Sequence, residues 1–158
     1  MIKHQSDSPE QRAAEEAIRE GVAAHLGKAL HPATLSLVGG AAVRVDGAAP
    51  DKSVFVEIYA RQGALKSGQR HKVATDALKL ITLARSYPEA ELVMAFADEQ
   101  AAAFATRGTW MAEALAAWGV RVLVVELDEQ MREGIRTAQV RQQMVNPSAH
   151  PPAGAVGT

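Results

Sequence analysis

The sequence predicts an α/β fold in the order α-βββ-α-β-α-β-α, with a mixed central sheet and helices on both faces. Three observations lead there. Two short strand-like runs flank Gly39-Gly40, and a third, Val54 to Ala60, follows a turn cluster at Gly47 to Lys52, so three strands meander. Later, Leu92 to Ala97 is a continuous apolar run, as a buried parallel strand is, and Val120 to Leu127 reads as a second buried strand, rich in valine. The segments around them carry helical periodicity, and strand–helix–strand units build parallel pairs.

Each element has a local reason. Ser8-Pro9-Glu10-Gln11 opens the first helix: Ser8 caps, Pro9 suits the first position and Gln11 completes a capping box. Ile18, Val22 and Leu26 form its stripe, and Gly27 and Pro32 stop it. Thr34 to Val38 makes the first strand. Ala41 to Asp46 makes the second, and simple alternation sends Val43 and Val45 one way, Arg44 and Asp46 the other. A polar loop, Arg61 to Gly68, leads into a helix over 69–86 ended by Pro88. Residues 99–118 read as one helix closed by Gly119, with Trp110 and Trp118 in the core. Asp128 caps a last helix that Asn146-Pro147 breaks. The expected organisation is a flexible start (1–8), one domain (9–145) and a disordered tail (146–158).

Composition narrows the functional classes. A chain of 158 residues that is 47% hydrophobic has enough apolar material for one core without staples. It has no cysteine, which excludes disulfides and thiolate metal sites and fits a cytoplasmic protein. No apolar run approaches the roughly 18 residues of a membrane helix. The formal net charge of −1 gives no global basic field, so any contact with nucleic acid must be local.

The best candidate for chemistry is a pair of acids. Asp46 ends the second strand and Glu57 lies inside the third, so the intervening turn brings the two carboxylates together on the pleated surface. Like charges that close repel, and a hard cation with oxygen ligands relieves them. The bland alternative is a Glu57 that faces solvent or pairs with Arg44 or Arg61. On the following helix, Gln69, Lys72, Asp76 and Lys79 fall within about one 80° sector bordering the apolar stripe, from which a lysine reaches toward Glu57. The alternative there is a lysine snorkelling at the core margin. Glu15 projects near the stripe of the first helix and is a further candidate metal ligand.

The order α-βββ-α-β, with Val45-Asp46-Gly47 and then Val54-Phe55-Val56-Glu57-Ile58-Tyr59, resembles the PD-(D/E)XK nuclease-like superfamily over roughly residues 9–127. The resemblance implies Mg²⁺ or Mn²⁺ held by Asp46 and Glu57 with the Ile58 carbonyl as a backbone ligand. It further implies a lysine two positions after the Glu. That position is Tyr59 here. Some members supply the lysine from the next helix, which points to Lys72, and Gln69 resembles the helix glutamine of some members. The expected function is metal-dependent hydrolysis of nucleic-acid phosphodiesters, with Asp46, Glu57 and Lys72 catalytic. The alternative is an inactive binding or assembly module of the same fold.

Other motifs carry less. Gly63 to Gly68 has P-loop glycine spacing, but Gln69-Arg70 replaces the Lys-Ser/Thr that would hold phosphate and Mg²⁺. Arg61, Lys66, Gln69 and Arg70 remain candidates for a nucleic-acid backbone. The five histidines show no ligand spacing. Arg132, Arg136 and Arg141 form either a partner surface or a solvated face. Amphipathic helices leave a homodimer open.

Overall fold

The computed structural model describes residues 8–145. Its elements are α1 (Pro9–Leu26), β1 (His31–Ser36), β2 (Ala42–Ala48), β3 (Val54–Tyr59), α2 (Ser67–Ser86), β4 (Glu91–Phe96), α3 (Glu99–Thr106), α4 (Trp110–Ala117), β5 (Val120–Val124) and α5 (Glu129–Val145). The expected α/β order holds. The five strands lie side by side in sequence order, the first three antiparallel and β3-β4-β5 parallel. The expectations of a flexible start and a disordered tail fall outside the described residues, except for Ser8. Its hydroxyl accepts the Gln11 N–H at 3.2 Å, the expected cap, but the expected capping box does not close, because Gln11 Oε1 is buried without a hydrogen-bond partner among the described residues. Among the described residues, no helix is long and apolar enough to cross a membrane.

Two cores sandwich the sheet. On one face α2, α3 and α4 pack over Phe55, Tyr59, Met94 and Phe96. On the other, Ala14, Ile18 and Val22 of α1 and Ile135 of α5 pack over Val56, Ile58 and Val93. Every residue of β3 is buried, because helices cover both of its faces.

Several expectations fail. β5, expected as a buried strand over Val120 to Leu127, ends at Val124 and lies at the sheet edge, where Val120 is its one buried residue. The single helix over 99–118 is two helices, because Gly108 takes a left-handed φ of 64° and Thr109 restarts the chain as the cap of α4. The Thr109 hydroxyl accepts the Ala112 N–H at 3.0 Å and donates to the Phe104 carbonyl at 2.6 Å. Trp110 and Trp118 are not in the core; they are 70% and 67% exposed. They stand at the two ends of the eight-residue α4, whose inward positions are Met111 and Leu115.

Candidate active site

β3 supplies Glu57 and Tyr59. Alternation along a strand puts Phe55, Glu57 and Tyr59 on one face, and Phe55 and Tyr59 belong to the core under α2. Glu57 therefore points into a covered interior, and it is only 2% exposed. A buried acid inside an apolar strand is costly unless it is partnered. The solvent-facing alternative for Glu57 is thereby excluded, and its ionic partner is neither Arg44 nor Arg61.

Asp46 reaches the same place by a device that alternation does not foresee. Val45 and Ala48, three positions apart, both pack into the core under α2. That requires one extra residue between them. The β1–β2 register shifts there: His31 pairs with Ala48 but Ala33 pairs with Val45. The bulge lets Asp46 join Val45 on the α2 side; simple alternation would place them on opposite faces. Pairing of β2 with β3 is recorded only at Gly47–Val56 and Ala48–Phe55, and beyond it the Asp46 side chain replaces the ladder. Its Oδ2 accepts the Ile58 N–H at 2.9 Å. From the opposite face, Arg19 Nε of α1 donates to the Asp46 carbonyl at 2.8 Å.

α2 lays a stripe of three charged residues over these acids. Lys72, Asp76 and Lys79 are spaced i, i+4 and i+7, so they lie along one line of the helix. Lys79 Nζ approaches Glu57 Oε1 to 2.6 Å, off the direction of a well-aligned hydrogen bond, and stands 3.7 Å from Asp76 Oδ1. Asp76 Oδ2 accepts from the Tyr59 hydroxyl at 2.9 Å and from Lys72 Nζ at 2.8 Å. Lys72 also lies over the Tyr59 ring, 5.2 Å from its centroid, and its side chain is 58% exposed. Tyr59 is stacked on Phe96 with centroids 4.6 Å apart, which fixes the ring.

The electrostatics follow from this geometry. Burial, and then the neighbouring Asp46 carboxylate, push Glu57 up to about 9; the Lys79 ammonium pulls it down, but by less. One half-buried lysine therefore does not balance the two acids, and at neutral pH Glu57 keeps a proton unless another positive charge arrives. Burial, with Asp76 next, raises the Tyr59 hydroxyl well above its usual value, so it stays a hydrogen-bond donor. Burial opposes the Lys72 ammonium, but Asp76 outweighs it and raises the lysine overall.

Asp46 and Glu57 come together as expected, and Lys79 takes the place expected for Lys72. Both lie on the same helix stripe; Lys79 reaches Glu57, whereas Lys72 stays exposed and tied to Asp76. Glu15 does not join them. Its helix packs on the other face of the sheet, and among the described residues no three His, Cys, Asp or Glu side chains form a metal-holding group. The pair still fits a hard cation such as Mg²⁺, which takes one or two carboxylates and fills its remaining positions with water.

The loop residues divide. Lys66 is exposed, and its N–H is capped by Gln69 Oε1 at 2.8 Å, so Gln69 closes the helix start. Arg61 is half-buried, with Nε 3.4 Å from the Ala64 carbonyl, and burial lowers its pKa. Arg70 is exposed over the Phe104 ring at 5.2 Å. The Gly63 N–H donates to Asp98 Oδ2 at 2.9 Å, so the glycine-rich loop offers that amide to a carboxylate instead of a phosphate.

Gln62, an ordinary polar loop residue in the sequence, is buried and central. Its Nε2 donates to the Ala60 and Ala97 carbonyls, its Oε1 accepts from Arg132 Nε at 3.0 Å, and its backbone exchanges two hydrogen bonds with the Gln139 side chain. Arg132 is thus a clamp on this loop. Arg136 pairs with Glu129 and Glu133, and Arg141 pairs with Glu10. A scan against protein-family models, a search of curated proteins and a search of solved structures each return no match.

Proposed function

We propose that this protein is a metal-dependent, nuclease-like domain acting on nucleic-acid phosphodiesters in the cytoplasm, with its site on β2, β3 and α2. The observation that carries the reading is the pairing of a half-buried Asp46 with the buried Glu57, brought together by a bulge and left short of positive charge by its single inner lysine. A structural ion pair needs no such excess of acid. The order of elements from α1 to β4 and the lysine supplied from α2 agree with the resemblance to the PD-(D/E)XK superfamily.

On this reading Asp46 and Glu57 hold Mg²⁺ or Mn²⁺, with the Ile58 carbonyl as a backbone ligand. The cation supplies an activated water and stabilises negative charge on the phosphate. Lys79 keeps its ammonium between Glu57 and Asp76, next to the carboxylate pair, where an attacking water would be oriented. Lys72, exposed beside Asp76, meets the charge on the phosphate. Arg61, Lys66 and Arg70, between the end of β3 and the first turn of α2, contact the flanking backbone through charge. That makes binding salt-dependent.

The second reading, a binding module without catalysis, is favoured by Tyr59, whose hydroxyl is tied to Asp76 at the position where the family places its lysine. Incubation of plasmid and single-stranded DNA with Mg²⁺ or Mn²⁺ separates the two. Cleavage by the wild type and none by Glu57→Ala supports the enzyme. Equal cleavage by both removes it, and retention of DNA without cleavage favours the module.

A further inference from the structure

Asp76 is the second buried acid of the site, and the proposed chemistry gives it no direct part. It is 6% exposed on a helix, where an uncompensated carboxylate is costly. Its two oxygens have different duties. Oδ2 is taken by Tyr59 and Lys72, both at hydrogen-bond distance. Oδ1 faces Lys79 from 3.7 Å, while Lys79 rests on Glu57 at 2.6 Å. The inner ammonium thus stands between two acids, closer to one. Lysine is a compact charge on a flexible four-carbon stem, so moving between neighbouring carboxylates needs only rotamer changes.

We infer that Asp76 is a positioning residue that receives Lys79 when a divalent cation takes Glu57. The inference rests on the metal reading of the Asp46–Glu57 pair. A cation arriving on Glu57 repels the ammonium already there, and without a second acid the lysine would stay and oppose binding. Asp76 offers that acid in a fixed place, because Tyr59, stacked on Phe96, and Lys72 hold its other oxygen. Serving Tyr59 alone would need only a neutral acceptor, which asparagine also provides. The charge that Asp76 adds faces Lys72 at 2.8 Å and Lys79 at 3.7 Å, and of these two lysines Lys79 is the one that also touches Glu57.

The test is Mn²⁺ binding by calorimetry on wild type, Asp76→Asn, Lys79→Met and the double variant, each first melted without metal to confirm folding. Asp76→Asn is expected to weaken Mn²⁺ binding about tenfold, within the usual range of coupling between sites. Lys79→Met is expected to bind at least as tightly as wild type, because the competing cation is gone. In the Lys79→Met background, Asp76→Asn should change affinity by no more than about twofold. An equal loss in both backgrounds overturns the transfer, since Asp76 would then act only as a distant charge. Weaker binding by Lys79→Met also overturns it. Wild-type protein that binds no Mn²⁺ overturns the metal reading itself, and this inference with it.

Discussion

Replacing Glu57 by glutamine should stabilise the protein at neutral pH. Burial and Asp46 raise Glu57 from 4.5 to about 9. In the unfolded chain this side chain ionises near its ordinary value, so between those two limits folding requires it to take up a proton. Stability from this group is therefore full below about pH 4.5, falls as pH rises, and reaches its lowest value above about 9. At pH 7 the gap is about 2.5 pH units, or about 3 kcal/mol at 1.36 kcal/mol per unit. Glutamine has nearly the same shape and does not ionise in either state. A gain of about 2–3 kcal/mol corresponds to roughly 5–10 °C in melting temperature for a chain of this length. Melting wild type and Glu57→Gln near pH 4, 7 and 9 measures it. The expected gain is near zero at pH 4 and grows with pH. A variant less stable than wild type at pH 7, or a difference that does not change with pH, refutes the charge imbalance.

Three further outcomes follow from the same contacts. In a cleavage assay Lys79→Ala should lose about 10²–10³ in kcat, as when one preorganised charge donor is removed from a site, whereas Lys72→Ala should lose about tenfold or less; equal losses would put both lysines in one role. Gln62→Ala leaves two carbonyls and Arg132 without their partner, so denaturant unfolding should report a loss of about 1–3 kcal/mol, and an unchanged midpoint would mean that α5 does not clamp the loop. Trp110 and Trp118 are the two tryptophans of the chain and both are exposed, so acrylamide should quench the fluorescence strongly in dilute solution; protection that appears with concentration, together with a dimer in sedimentation, would support the homodimer proposal.

The fold was readable because its signals are local. The capped start of α1, the Gly39-Gly40 turn, the buried run of β4, the valine-rich run of β5 and the proline after α2 each act within a few residues. The break between α3 and α4 is local too; Gly108-Thr109 is a helix stop followed by a cap, but alanine-rich flanks on both sides conceal it. The site was half readable. Asp46 and Glu57 stand out as acids in apolar strands, but two-residue alternation gives no hint of the bulge, because an extra residue is defined only against the partner strand. Likewise Lys72 and Lys79 share one helix face, and the choice between them depends on where α2 crosses β3. That crossing is a tertiary fact set by packing of Val73, Ala77 and Leu80. Gln62 was missed because a glutamine in a loop looks like any polar residue until α5 folds over it.

The most direct test of the central claim is a crystal structure of the protein soaked in Mn²⁺, read by anomalous scattering. A peak bound by both Asp46 and Glu57 at about 2 Å from their oxygens, with Lys79 moved off Glu57, is the expected result. No peak at that pair, with Lys79 still closed on Glu57, would contradict the metal site and leave a buried ion pair in its place.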